Sequence, residues 1–319
     1  MLQPLETREF DTQRLVTEHP PVWGHPNKVA VYDCLCPRGS RHSGRLRYSR
    51  WPTLPLPERI DVKASLEKVQ PRPGFYDYTP LATRPDAVEW HVNFADPDLF
   101  VAYGSPLFAQ DEMQVAEHPA LGSLKEALVA AGSVPLTEEG GRPTPILVAG
   151  VERRGRIDTT GLYGNAFARA PVNAVRRATT RLDPPTISNI IAIAAPTGEG
   201  RYTKDEIEYI LATAASGFRA AVIDSSEQLG RAAPVVVHSG FWGCGAFGGN
   251  RQLMLMLQIA AAGAAGLDRL VLHTGDSGEE AYEDACRTLA KVGDDSCSPS
   301  DLIARVTALG FEWGESDGN

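Results

Sequence analysis

Between the apolar run 235–238 and a long helical pattern beginning at Arg251, the chain reads Ser239-Gly240-Phe241-Trp242-Gly243-Cys244-Gly245-Ala246-Phe247-Gly248-Gly249-Asn250. The order strand, glycine loop, helix narrows what the chain can build. Glycine lets the backbone come close to a neighbour and reach positive φ, while successive N–H groups and a helix N-terminus gather positive potential. Such a loop is suited to a diphosphate. No Gly-Lys-Ser/Thr follows, which excludes a P-loop, and the glycine spacing departs from the dinucleotide fingerprint. A tight connection between packed layers would use glycines too, but the interleaved Trp242 and Phe247 make the string more specific.

Around this loop, short apolar runs alternate with amphipathic stretches, the pattern of an α/β layered domain. Strands are predicted at 88–95, 145–152, 187–194, 234–238 and 269–273, and helices at 106–117, 123–131, 204–223, 251–265, 278–291 and 299–309. Thr203, Asn250 and Ser298 stand where N-caps are needed. Prolines such as Pro20, Pro21, Pro26, Pro52, Pro55, Pro57, Pro71 and Pro73 interrupt any long element before residue 85. Residues 1–85 are therefore expected to form a partly ordered, proline-rich extension, 86–312 the folded domain, and 313–319 a flexible polar tail.

The 319 residues, 43% apolar and 22% charged, suffice for a full core, and the net charge of -9 argues against coating duplex nucleic acid. The N-terminus lacks a basic start with an apolar core, and the longest apolar run is too short to span a bilayer, so no membrane association is expected. Five cysteines without framework spacing read as reduced thiols, and a cytoplasmic location is expected. Cys34-X-Cys36 has no second pair, and the seven histidines include no His-X-X-X-His, so neither a metal nor a cofactor is expected. Cys244 with His238 could be imagined as a thiol and its base, but a cysteine between two glycines fits better as a small residue in a tight loop. Arg38, Arg41, Arg45, Arg47 and Arg50, with Tyr48 and Trp51, form a basic aromatic stretch that reads either as a solvated flexible segment or as a polyanion contact.

The string WGCGAFGG within residues 242–249 closely resembles the second phosphate loop of the poly(ADP-ribose) glycohydrolases, and the resemblance extends over roughly 88–309. It implies a three-layer α/β/α macrodomain-like fold with a mixed central sheet, and a hydrolase of an O-glycosidic bond to ADP-ribose or an ADP-ribosylated macromolecule. Gln110-Asp111-Glu112 looks like the family's Gln-Glu-Glu signature, which makes Glu112 the general acid and then the base, with Asp111 beside it holding ribose hydroxyls. Such chemistry needs a proton for the leaving oxygen and support for an oxocarbenium-like centre. The same resemblance assigns ligand contacts to Asn93, Asp96, Gly104, Gln110, Gly240, Phe241, Trp242, Gly243, Cys244, Gly245, Ala246 and Phe247, and an adenine-clasping ring to Tyr163 or Phe167.

The sequence also departs from the family. Three consecutive glycines are expected before the signature, where this chain reads Val101-Ala102-Tyr103-Gly104-Ser105-Pro106. Side chains at Ala102 and Tyr103 are expected to obstruct close backbone approach. Asn93 and Asp96 exchange the family's Asp and Asn, and Phe241 replaces an Asn. The alternatives are a non-catalytic ADP-ribose-binding macrodomain, or a hydrolase of another ADP-ribose-containing substrate.

Overall fold

The computed structural model describes residues 2–318; Met1 and Asn319, at the outer ends of the expected extension and tail, lie outside them. The chain opens with β1 (Glu6–Asp11), α1 (Thr12–Glu18), α2 (Pro26–Leu35), β2 (Arg45–Arg50), β3 (Ile60–Asp61), α3 (Val62–Glu67) and β4 (Val69–Arg72). It continues through β5 (Val88–Ala95), α4 (Gln110–Glu117), α5 (Ala120–Ala130), the small hairpin β6 (Glu138–Glu139) and β7 (Arg142–Pro143), and β8 (Ile146–Ile157). Then come α6 (Asn165–Arg169), α7 (Val172–Ala178), β9 (Thr179–Ala194), α8 (Lys204–Leu229), β10 (Val235–Ser239), α9 (Arg251–Ala265) and β11 (Arg269–His273), followed by α10 (Glu279–Gly293), β12 (Ser296–Cys297) and α11 (Pro299–Ala308).

Eight strands form one mixed sheet in the order β1-β2-β8-β9-β5-β10-β11-β4. Pairing is antiparallel from β1 to β9 and parallel from β9 to β4. The period-2 alternation of a strand sends neighbours to opposite faces. In β9, Ile191 and Ile193 join the core under α8 and α9, whereas Ile190 and Ala192 join the core under α1, α4 and α5. Leu147 and Ala149 of β8 divide from Ile146 and Val148 in the same way. Three layers result, as expected of a macrodomain. Gly217 allows α8 to lie close on the sheet, since a Cβ there would come within 3.0 Å of the Ile191 and Ile193 methyls.

The boundary expected at residue 85 does not separate two bodies, because β1, β2 and β4 belong to the same sheet as the rest. The prolines break elements without preventing them: Pro26 occupies the first turn of α2, where a missing N–H costs nothing. The second half of the basic aromatic stretch is built into the sheet, while Arg38, Arg41 and Arg45 remain exposed. Tyr48 and Trp51 are fully buried, Arg47 pairs with Asp224 at 2.8 Å, and Arg50 pairs with Glu139. The expected flexible tail is also held: Trp313 stacks on Tyr202 at 4.0 Å, and Gly314 N–H donates to Gly248 O at 2.7 Å. None of the helices of the described residues is long and apolar enough to cross a membrane.

Candidate functional site

The end of β5 and the start of α4 are tied together by side chains that bond to backbone. Gln110 accepts from Phe94 N–H at 2.7 Å and donates to Val92 O at 3.1 Å, so its amide braces the strand to the helix. The helix begins four residues later than the sequence pattern suggests, at Gln110, after the turn holding Ser105 and Pro106. Glu112 in its first turn accepts from Ala109 N–H at 2.9 Å, satisfying a donor that would otherwise be left open. Asp111 accepts from Asn93 Nδ2 at 2.9 Å. Asp96 folds back on its own turn and accepts from Asp98 N–H at 2.9 Å.

Asp111 and Glu112 are both buried. Burial pushes Asp111 up to about 8, the Glu112 charge adding to the effect and the Asn93 hydrogen bond opposing it. Lys28, fully buried on α2, donates to Tyr103 O at 2.6 Å and lies 5.3 Å from the Phe108 ring centroid. Its desolvation lowers it to about 8, against the attraction of Glu112 and Asp111. A buried cation from the expected extension thus lies within electrostatic reach of the two carboxylates. Sequence reasoning missed it because nothing local marks Lys28 as different from a surface lysine.

The glycine loop leaves β10 and enters α9. Gly243 at φ +75° and Gly248 at φ +66° make its reversals, and a Cβ on Gly243 would stand 2.5 Å from the Ala195 Cβ. Within the loop, Gly249 N–H donates to Gly243 O at 2.8 Å and Gly248 N–H to Gly245 O at 3.0 Å. Trp242 is fully buried and donates from Nε1 to Ile193 O at 2.9 Å, which pins the loop to β9. Asn250 caps α9 by accepting from Leu253 N–H at 3.1 Å. Cys244 has no imidazole partner: His238 faces Glu89 and His273, and burial raises the thiol to about 12. That chemistry does not fit a thiol nucleophile.

One cavity of about 490 Å³ brings these parts together. Its lining includes Asp96, Gln110, Asp111, Glu112, Tyr163 and the whole of residues 240–247. Asn93, Gly104 and Phe167 are not among the residues that line it. Asn93 lies beneath Asp111; Gly104 O accepts from Gly24 N–H at 2.9 Å; Phe167 is fully buried and stacks on Phe108 at 3.9 Å. Tyr103 turns away from the cavity, accepting from Val22 N–H at 2.7 Å and donating to Glu126 at 2.6 Å, so it does not obstruct the site as expected. Val101 and Ala102 do line it.

Further lining residues were not picked out from sequence: Phe75, Tyr76 and Tyr78 before β5, Arg251, Asp276, and Asp317 of the tail. Phe75 and Tyr163 face one another with centroids 6.3 Å apart and planes 21° apart. The Arg251 guanidinium lies 4.8 Å over the Phe241 ring. A Cβ on Gly245 would lie 3.3 Å from Asp317 Oδ2, so an acidic side chain reaches the mouth of the glycine loop. Beside the cavity, Glu89, His91 and His238 bring three potential metal ligands within 4.8 Å of one another, although no sequence spacing announced them.

Residues 144–281 match the family model described as poly(ADP-ribose) glycohydrolase, macro domain fold. The match takes in β8, β9, β10, the glycine loop, α9 and β11, and stops short of residues 110–112. Solved structures are similar too. One is poly(ADP-ribose) glycohydrolase from Thermomonospora curvata bound to the inhibitor ADP-HPD, at 16% identity and TM-score 0.44, covering 87% of this chain and 98% of that one. Another is the Deinococcus radiodurans enzyme in complex with ADP-ribose, at 13% identity and TM-score 0.43, covering 89% and 94%. No curated protein matches the chain. With its place in the three-layer mixed sheet and its WGCGAFGG loop, the segment 144–281 is similar to the macro domain of poly(ADP-ribose) glycohydrolases.

Proposed function

We propose that this protein hydrolyses an O-glycosidic bond to ADP-ribose, in poly(ADP-ribose) or on an ADP-ribosylated acceptor, with Glu112 as general acid and base. The observation that carries the reading is that Glu112 and the glycine loop line one cavity, of a size typical for small-molecule ligands. The diphosphate lies on the N–H groups of residues 243–247 and the N-terminus of α9. Adenine stacks at Tyr163 with Phe75 opposite it, and the distal ribose faces Glu112. Glu112 gives its proton to the departing ribose oxygen as the anomeric carbon gains oxocarbenium character; the resulting carboxylate then takes a proton from the attacking water. Asp111 orients the ribose hydroxyls and is itself positioned by Asn93.

A second reading, a non-hydrolysing ADP-ribose-binding module, is favoured by one feature: Val101 and Ala102 line the cavity where the family resemblance calls for glycines. Incubation with poly- and mono-ADP-ribosylated protein separates the two. Free ADP-ribose accumulates if the protein is a hydrolase; calorimetric ADP-ribose binding with no release identifies the binding module.

A further inference from the structure

Glu89 and His91 lie two residues apart on one face of β5, and His238 of β10 stands in register beside His91. The His91 and His238 rings are stacked, 4.6 Å between centroids and 11° between planes. His91 is 4% exposed, and neither of its ring nitrogens has a partner. Leaving two imidazole nitrogens buried and unpaired is costly.

His273 Nδ1 is 3.2 Å from Phe75 O, a carbonyl that can only accept, so the proton of a neutral His273 sits on Nδ1. Its Nε2 is then an acceptor, and His238 Nδ1, 3.2 Å away, must donate to it. A neutral His238 consequently presents its Nε2 lone pair to Glu89 Oε2 at 2.7 Å. Two acceptors facing each other at that distance need a cation between them, either a second proton on His238 or a metal ion, and the unpartnered His91 beside them favours the ion. The other Glu89 oxygen accepts from Leu81 N–H, which fixes the carboxylate.

We infer that Glu89, His91 and His238 form a binding site for a divalent transition metal of the zinc class. Two imidazoles and one carboxylate are a donor set for such an ion, with a fourth position left for water. The donor atoms already lie within 4.8 Å of one another, near the spacing that metal–ligand distances of about 2.0–2.2 Å require. His273 then acts as the outer partner that fixes the His238 tautomer. The ion would brace the cavity wall, since His273 and Tyr76 both line the cavity and the Tyr76 hydroxyl lies 3.1 Å from His238 O. This inference is independent of the glycohydrolase reading.

The test uses the full chain, free of any affinity tag and stripped with chelator, titrated with Zn²⁺ against a chromophoric chelator and with Co²⁺ by visible absorption. The site predicts uptake of a single equivalent, tetrahedral Co²⁺ bands and a higher melting temperature. His91→Ala and Glu89→Gln weaken uptake more than about 100-fold, and His273→Ala about 10- to 100-fold. A Cys34→Ser/Cys36→Ser variant binds as the parent does. Circular dichroism verifies the fold of each variant, and Glu89→Gln carries the test if His91→Ala fails to fold. Failure of the parent chain to take up a stoichiometric ion, or uptake undiminished in both folded ligand variants, would overturn the inference and leave a proton as the cation joining His238 to Glu89.

Discussion

Asp111 and Lys28 carry the clearest electrostatic consequence at the residue scale. Burial raises Asp111 to about 8 from its ordinary value of 3.8, so between these values the folded state holds a proton that the unfolded chain has released. Stability therefore falls as pH rises from about 4 to about 8. Lys28 is lowered to about 8 from 10.5, so above about 8 the unfolded chain binds more protons and its contribution to stability grows up to about 10.5. Asp111→Asn should flatten the decline of melting temperature between pH 5 and 8 and melt higher than the parent at pH 8. An equal pH slope in parent and variant would show that Asp111 ionises normally. Lys28→Met, of similar length, should leave ADP-ribose binding intact while changing the pH dependence above 8, read by calorimetric melting; an unchanged profile there would rule out its proposed titration. The carboxylates were legible in the sequence through the resemblance of Gln110-Asp111-Glu112 to the Gln-Glu-Glu signature. Lys28 was not, since its meaning depends on α2 packing against α4 across more than eighty residues.

The glycine loop is the element whose sequence and structure agree most closely. Its positive-φ glycines, buried Trp242 and Asn250 cap all follow from residue type and order. Gly243→Val places a branched side chain at φ +75° against Ala195, at a backbone cost of about 1–3 kcal/mol. It should lose ADP-ribose binding by calorimetry before it loses the fold, and full binding by this variant would contradict the role proposed for the loop as a diphosphate cradle. Trp242→Ala should lower stability by about 3–5 kcal/mol in denaturant unfolding, because a large buried side chain and the Ile193 hydrogen bond go together. At 101–106 the sequence did not reveal the direction of Tyr103. Its side chain is drawn into Val22, Trp23 and Glu126, partners distant in sequence.

Across the whole molecule, the central strands and the α8 and α9 helices were visible as period-2 and helical patterns, and their faces divide between the two cores as those patterns require. The sheet edges were not. β1 and β2 carry alternating charges, and β4 contains Pro71, so local propensity hides strands that exist because the sheet offers them a partner. The tail is another long-range effect: Trp313 on Tyr202 brings Asp317 to the glycine loop. A carboxylate there opposes an incoming diphosphate, so Asp317→Asn should tighten ADP-ribose binding by about two- to fivefold, and looser binding would mean that Asp317 supports the ligand.

One substitution tests most directly whether Glu112 performs the proposed proton transfers while the glycine loop holds the ligand. Glu112→Gln keeps the shape and the acceptor toward Ala109 N–H but removes the acid. ADP-ribose release measured beside ADP-ribose affinity should show the rate falling by about 10²- to 10⁴-fold with affinity changed little. Equal release by parent and variant would contradict the account.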